Sequence, residues 1–139
     1  MNNEEAQEKY VELQMLDAQI KELQSQAEAF ESKTREVAQS LMALDELKEA
    51  SLGSQLLAPI SPGIFVKAEL KDNSEFLMNV GSGIVVNKDL AGVKRLLTEQ
   101  LVKVDRLKEQ VADQVNKLAA KAIPLQQELN TFIETQKDV

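Results

Sequence analysis

The sequence predicts an α+β chain: a long antiparallel two-helix coiled coil whose helices are joined by two β-hairpins. Three observations carry this. Gly53, Pro59, Pro62, Gly63, Gly81 and Gly83 all fall within 51–88, leaving only Gly92 and Pro124 outside. On either side of that stretch apolar residues recur every 3.5 residues, and inside it they alternate with period two. The 139 residues therefore read as a single domain in three parts: a coiled-coil helix over 1–50, two hairpins for oligomerisation over 51–88, and a second coiled-coil helix over 89–139.

In the first part Leu13, Leu16, Ile20, Leu23, Ala27, Phe30, Thr34, Val37, Leu41, Leu44 and Lys48 follow at alternating steps of three and four. A ladder of that length, rich in Leu, Gln, Glu, Lys and Ala and free of Gly and Pro, specifies a helix that pairs along one seam. At 1.5 Å per residue the helix is about 70 Å long. Gly53 suits a left-handed residue at its end. In the third part Leu97, Leu101, Val104, Lys108, Val111, Val115, Leu118, Ala122, Leu125, Leu129 and Phe132 repeat the pattern. Asn87 or Asp89 is placed to cap the start of this helix by accepting free N–H groups of its first turn. Paired as a hairpin, the helices face each other at positions whose numbers add to about 139, with Leu13 near Leu125 and Tyr10 near Leu129. Pro124 lies inside the second helix, where a missing donor and crowding of the Ala120 carbonyl predict a kink or local loosening.

The middle part reads as four strands. Leu56-Leu57-Ala58 ahead of Pro59 is the first, Ile64 to Leu70 the second, Phe76 to Val80 the third and Ile84-Val85-Val86 the fourth. Ser61-Pro62-Gly63, Lys71-Asp72-Asn73-Ser74 and Gly81-Ser82-Gly83 supply the turns. About 35 residues of strand with apolar side chains on both faces cannot form a core unaided, and unpaired strand edges recruit other strands. The simplest completion is a sheet or barrel shared between chains, which makes Ile64, Phe65, Val66, Ala68, Phe76, Met78, Val80, Ile84 and Val86 the oligomerisation residues.

The run from Leu56 through Ile64-Phe65-Val66-Lys67-Ala68-Glu69-Leu70, then Val80-Gly81-Ser82-Gly83-Ile84-Val85-Val86, set between two such helices, resembles the alpha subunits of prefoldin of the archaeal type. The likeness covers the whole chain in architecture, and 56–88 is its more specific part. Asn87 stands where an acidic residue is common and Phe65 where Tyr is common. Two hairpins in place of one distinguish the alpha from the beta class. The resemblance implies that two alpha and four beta subunits form a double β-barrel bearing six coiled-coil arms. It further implies that these arms capture unfolded proteins without ATP and deliver them to a group II chaperonin.

Within such an arm the mid-helix ladder is core. Towards the ends helices have few packing neighbours, and Tyr10, Val11, Met15, Ile123 and Ile133 lie off the seam, where a two-stranded coil leaves them in water. The client-binding tip is accordingly expected to comprise Tyr10, Val11, Leu13, Met15, Ile123, Leu129, Phe132 and Ile133. Residues 1–50 carry 5 basic and 12 acidic side chains, whereas 51–88 carry 3 and 3 and 89–139 carry 8 and 8. The acidity reads as a solvated helix face.

With no Cys and no His, zinc, iron–sulfur, thiol and histidine-dependent chemistry is excluded. No carboxylate pair sits beside a polar partner in a predicted pocket, and Gly81-Ser82-Gly83 leads into a strand, unlike a phosphate loop. The chain reads as no enzyme, with no catalytic residue, metal or cofactor. A net charge of −7 disfavours nucleic acid, and no apolar run approaches the length of a membrane span. The start Met1-Asn2-Asn3-Glu4-Glu5 lacks a basic leader, so a cytoplasmic location is expected. The competing function is a structural coiled-coil scaffold or tether with one fixed protein partner.

Overall fold

The computed structural model describes residues 1–137, and the last two residues of the expected second helix lie outside them. The elements are α1 (Asn3–Glu49), β1 (Gln55–Ser61), β2 (Ile64–Glu69), β3 (Glu75–Gly81), β4 (Ile84–Asp89) and α2 (Leu90–Lys137). They make two compact units: Met1–Lys33 with Lys103 onward, and Thr34–Val102.

In the first unit the two helices run antiparallel along an apolar seam. Ala6, Leu13, Leu16, Ala122 and Leu129 are buried together, with Leu118, Leu125 and Phe132 packed against them. Polar groups flanking the seam fix the register. Lys108 bonds Glu31 at 3.0 Å, Gln136 donates to Asn3 at 3.4 Å, and Lys9 pairs with Glu128. The first two pairs have residue numbers adding to 139 and the third to 137, as the ladder predicts. The expected ladder members from Leu13 to Leu44 and from Leu97 to Phe132 are all buried or half-buried. Two details differ. Lys48 is exposed and Leu47 takes its place in the seam, because the last step is three rather than four; Tyr10 is 53% exposed, so that Lys9 and not Tyr10 faces the partner helix beside Leu129. α2 continues as helix through Pro124 to Lys137.

In the second unit Val37, Val93 and Leu97 form the buried centre, flanked by Leu41, Leu44, Leu101 and, from β3, Phe76 and Met78. Lys94 bridges Asp45. β1 pairs with β2 and β3 with β4, each antiparallel, as two separate two-stranded sheets. The second hairpin repeats the first 20 residues on. Gln55 opposite Glu69 becomes Glu75 opposite Asp89, and a register shift at Pro59/Ser61 recurs at Asn79/Gly81. Gly63 after Pro62 has φ +79, and the next turn has φ +52 at Ser82 and +74 at Gly83. Only glycine takes such angles without steric cost, which is why both turns close on one.

β1 extends beyond the expected Leu56–Ala58 and includes Pro59, opposite Phe65. A proline is tolerated because both strands of a two-stranded sheet are edges, where a missing donor need not interrupt a ladder. Gly53 is left-handed (φ +86), yet it lies past the end of α1, and its N–H donates to the Leu70 carbonyl at 2.7 Å. The end of α1 is closed instead by Asn73, whose Nδ2 donates to the carbonyls of Ala50 at 3.0 Å, Lys48 at 3.2 Å and Leu47 at 3.4 Å. Asp89 caps α2, its Oδ1 accepting from Gly92 N at 2.8 Å. Asn87 reaches across the hairpin to Glu75.

The chain exposes 10489 Å², where a compact monomer of 15.5 kDa exposes about 7,200 Å². Among the described residues no helix is long and apolar enough to cross a membrane.

Candidate functional site

Two surfaces stand out, one in each unit. The first lies where the N-terminal turns of α1 meet the C-terminal turns of α2. Met1, Lys9, Pro124, Thr131 and Phe132 help to line a groove of about 870 Å³ there. Its side chains follow from helix periodicity, since Pro124, Thr131 and Thr135 recur at seven and four residues and so share a face. The Thr131 and Thr135 hydroxyls donate back to the carbonyls of Gln127 and Thr131 at 3.0 and 2.8 Å. Lys9 and Glu128 close one side. The hydrogen bond to Glu128 is the main cause that raises the Lys9 pKa above the ordinary lysine value; desolvation opposes it, and the nearby charges of Glu128, Glu5 and Glu12 add to it.

Around this groove the expected tip residues divide. Tyr10 (53%), Val11 (48%), Met15 (60%), Ile123 (57%) and Ile133 (50%) are exposed, while Leu13 and Leu129, each at 6%, belong to the buried seam and Phe132 packs against it. Leu13 and Leu129 are therefore ladder residues in this structure, because the seam runs unbroken to Ala6. Of the eight, only Phe132 lines the groove; Val11 lies in a shallow depression with Glu4, Gln7 and Glu8. The Tyr10 hydroxyl accepts a bond from Gln14 at 3.1 Å. Sequence reasoning treated Pro124 as a helix flaw and missed it as a groove wall; its spacing to Thr131 was the available signal.

The second surface is the pair of hairpins. Leu56, Ala58, Ala68, Phe76, Met78 and Val86 are half-buried, while Ile64, Phe65, Val66, Val80 and Ile84 are 44–59% exposed. Leu57 (67%), Ile60 (63%), Leu77 (78%) and Val85 (55%) extend the exposed apolar area beyond the residues expected to mediate oligomerisation. Strand alternation indicates Leu57, Leu77 and Val85, since each lies one position from a residue already named, and Ile60 stands at the register shift between Pro59 and Ser61. So many exposed apolar side chains on two-stranded sheets with open edges make this the second candidate interaction surface.

A family model described as prefoldin subunit matches residues 16–134, which takes in most of the seam, both hairpins and most of both helices. The chain belongs to the prefoldin family. Curated relatives agree on the class: it is 24% identical to the prefoldin subunit alpha of Methanococcus aeolicus over 97% of this chain and 92% of the relative. It is 28% identical to that of Thermofilum pendens over 84% and 92%. A probable prefoldin subunit 5 of Caenorhabditis elegans is 36% identical over 55% of this chain and 45% of its own. In fold the chain resembles a cryo-EM structure of filamentous PFD from Methanocaldococcus jannaschii, with a TM-score of 0.76 and 20% identity over 84% of this chain and 97% of that one. Prefoldin subunits are chaperone subunits that assemble with one another, and the two long helices and paired hairpins of this chain are those of that fold.

Proposed function

We propose that this prefoldin chain is an alpha-type subunit that joins beta-type partners through its hairpins and holds unfolded polypeptides at its helix ends. In this reading two such chains and four partners share a double β-barrel in the cytoplasm, and the complex delivers its clients to a group II chaperonin without ATP. The observation that supports it best is the exposure of Tyr10, Val11, Met15, Ile123 and Ile133 beside a groove built on Pro124 and Phe132. Apolar side chains left in water at the helix ends gain free energy when an unfolded segment covers them, without any bond being made or broken. Each contact is weak. Several arms on one platform raise the effective concentration for a chain with many exposed apolar segments.

The test is to mix the chain with a beta-type partner, measure the mass of the complex, and follow aggregation of a denatured protein in its presence. A hexamer-sized mass with suppression that needs no nucleotide supports the reading. A complex of that mass which ignores unfolded protein and binds one folded protein saturably overturns it.

A further inference from the structure

Within the first unit a second groove, of about 630 Å³, lies between the helices away from the end groove, with Ala18, Leu23 and Leu118 among its lining and Glu22, Lys117 and Lys121 at its rims. Its existence follows from side-chain size. Ala18 is too short to cover the space beside the seam, so Leu23 and Leu118, ladder residues both, are only half-buried at this level.

The charges are arranged unusually. The register that joins Glu31 to Lys108 and Lys9 to Glu128 also sets Glu22 opposite Lys117, whose numbers again add to 139. At the other two levels the ammonium reaches across the seam and bonds the carboxylate. At this level the trough intervenes, and among the described residues neither Glu22, Lys117 nor Lys121 forms an ion pair. Lys117 and Lys121 stand one turn apart on the same rim, so their like charges repel weakly and a carboxylate between them would relieve that repulsion. Two ammonium groups against one carboxylate leave the trough net positive, in a chain whose overall charge is −7.

We propose that this trough takes a segment of an unfolded client that carries an apolar side chain next to an aspartate or glutamate. The apolar group covers Ala18, Leu23 and Leu118 while the carboxylate lies against Lys117 and Lys121. This deepens the capture reading and rests on it: the end groove supplies general apolar contact, and the trough adds a preference by charge.

The experiment uses the full chain in its assembly, with a photo-crosslinking residue in place of Gln114 on the trough wall. Three labelled peptides share one apolar sequence and differ only in flanking Asp, Ser or Lys. The Asp-flanked peptide should be labelled most and bind roughly two- to fivefold more tightly than the Lys-flanked one at low salt, the range that exposed charge pairs support. The preference should shrink towards unity at about 0.5 M salt, where screening is nearly complete at contact distances beyond a few ångströms. Replacing both lysines, K117Q/K121Q, should abolish the preference without changing the mass of the assembly. Equal labelling of the three peptides, preference for Lys, or cross-links only to another subunit would overturn the trough as a client site. If the cross-linker captures no peptide while the complex still suppresses aggregation, the trough proposal fails and the capture reading stands; if suppression is also absent, both fail.

Discussion

Asn73 shows how much one side chain can settle. The last carbonyls of a helix lack a full set of partners within it, and a single amide from the turn between the hairpins meets those of Leu47 and Lys48 in the last turn of α1 and that of Ala50 just past it. Replacing it with alanine leaves those carbonyls to water and frees the turn, so Asn73→Ala should destabilise the assembly by about 1–2 kcal/mol, read as a lower guanidinium midpoint. An Asn→Asp change should cost more, since a carboxylate would face carbonyl oxygens. One residue earlier, Asp72 accepts from the backbone N–H and the hydroxyl of Ser74, both at 2.7 Å. The backbone bond is the larger cause and the hydroxyl the next in lowering its pKa below the ordinary aspartate value, against slight desolvation. A carboxyl with a depressed folded pKa contributes stability above its unfolded pKa of about 3.9 and loses it as pH falls through the folded one. The turn should therefore stay ordered down to pH 4 and loosen only below it, seen as exchange protection at Ser74 that persists at pH 5 and fades in stronger acid. None of this could be read from the sequence, where Asn73 was one polar residue of a turn: the carbonyls it meets lie 23–26 residues back, and no local pattern encodes so distant a partner.

At the scale of elements the start of α2 sets two effects against each other. Glycine inside a helix costs about 1 kcal/mol relative to alanine, and an N-cap bond contributes about the same. A Cβ on Gly92 would come within 2.9 Å of the Asp89 Oδ1 that caps the helix. That oxygen ends a side chain that can swing away, so Gly92→Ala should lose the cap, gain propensity and change stability by less than about 0.5 kcal/mol, while Asp89→Ala loses about 1 kcal/mol with nothing in return; thermal melts of the assembled variants distinguish the two. In the hairpins, Val66 and Ile84 are apolar groups exposed in the single chain that the shared barrel would bury. Val66→Asp or Ile84→Asp would place an unpartnered charge there at a cost on the order of several kcal/mol. Each should abolish the oligomer while retaining much helix; light scattering showing an intact hexamer for both would exclude the shared barrel. These elements were the legible part of the fold. The 3.5-residue ladder and the period-two runs located both helices, all four strands and the pairing register, because each reflects a burial pattern confined to one or two elements. The strand ends were less visible: β1 was stopped at Ala58 by a proline that an edge strand tolerates, and Gly53 was assigned to a helix end because its left-handed angle says nothing about which carbonyl its N–H will meet.

For the whole molecule the governing fact is unfinished burial, some 10489 Å² of exposed surface in a chain whose compact equivalent would show about 7,200 Å². The two exposed apolar surfaces are separable by mutation. Changing Tyr10, Met15, Phe132 and Ile133 together to serine removes on the order of 1–3 kcal/mol of apolar burial per side chain from a client contact, multiplied over several arms. The seam should survive on Leu16, Leu118, Ala122 and Leu125, so the mass of the complex should hold while suppression of aggregation falls sharply. Unchanged suppression in complexes whose partner ends are also disabled would move capture elsewhere in the assembly. The candidate ends were only half legible in the sequence. Off-seam residues such as Met15 were identifiable by phase, but Leu13 and Leu129 were grouped with them because a ladder does not announce where it stops being buried.

The seam register also constrains how such a chain can change over evolutionary time. Since facing positions keep a constant sum, an insertion or deletion inside one helix slides every residue between it and that helix's free end past its neighbour and turns apolar faces away from each other. Inside the seam, a change of length that keeps the register comes as paired edits, seven residues from each strand of the coil at matching levels, about 10 Å at a step. Reach in this architecture is thus inherited in quanta, and two distant stretches of one gene must mutate as if they were a single locus.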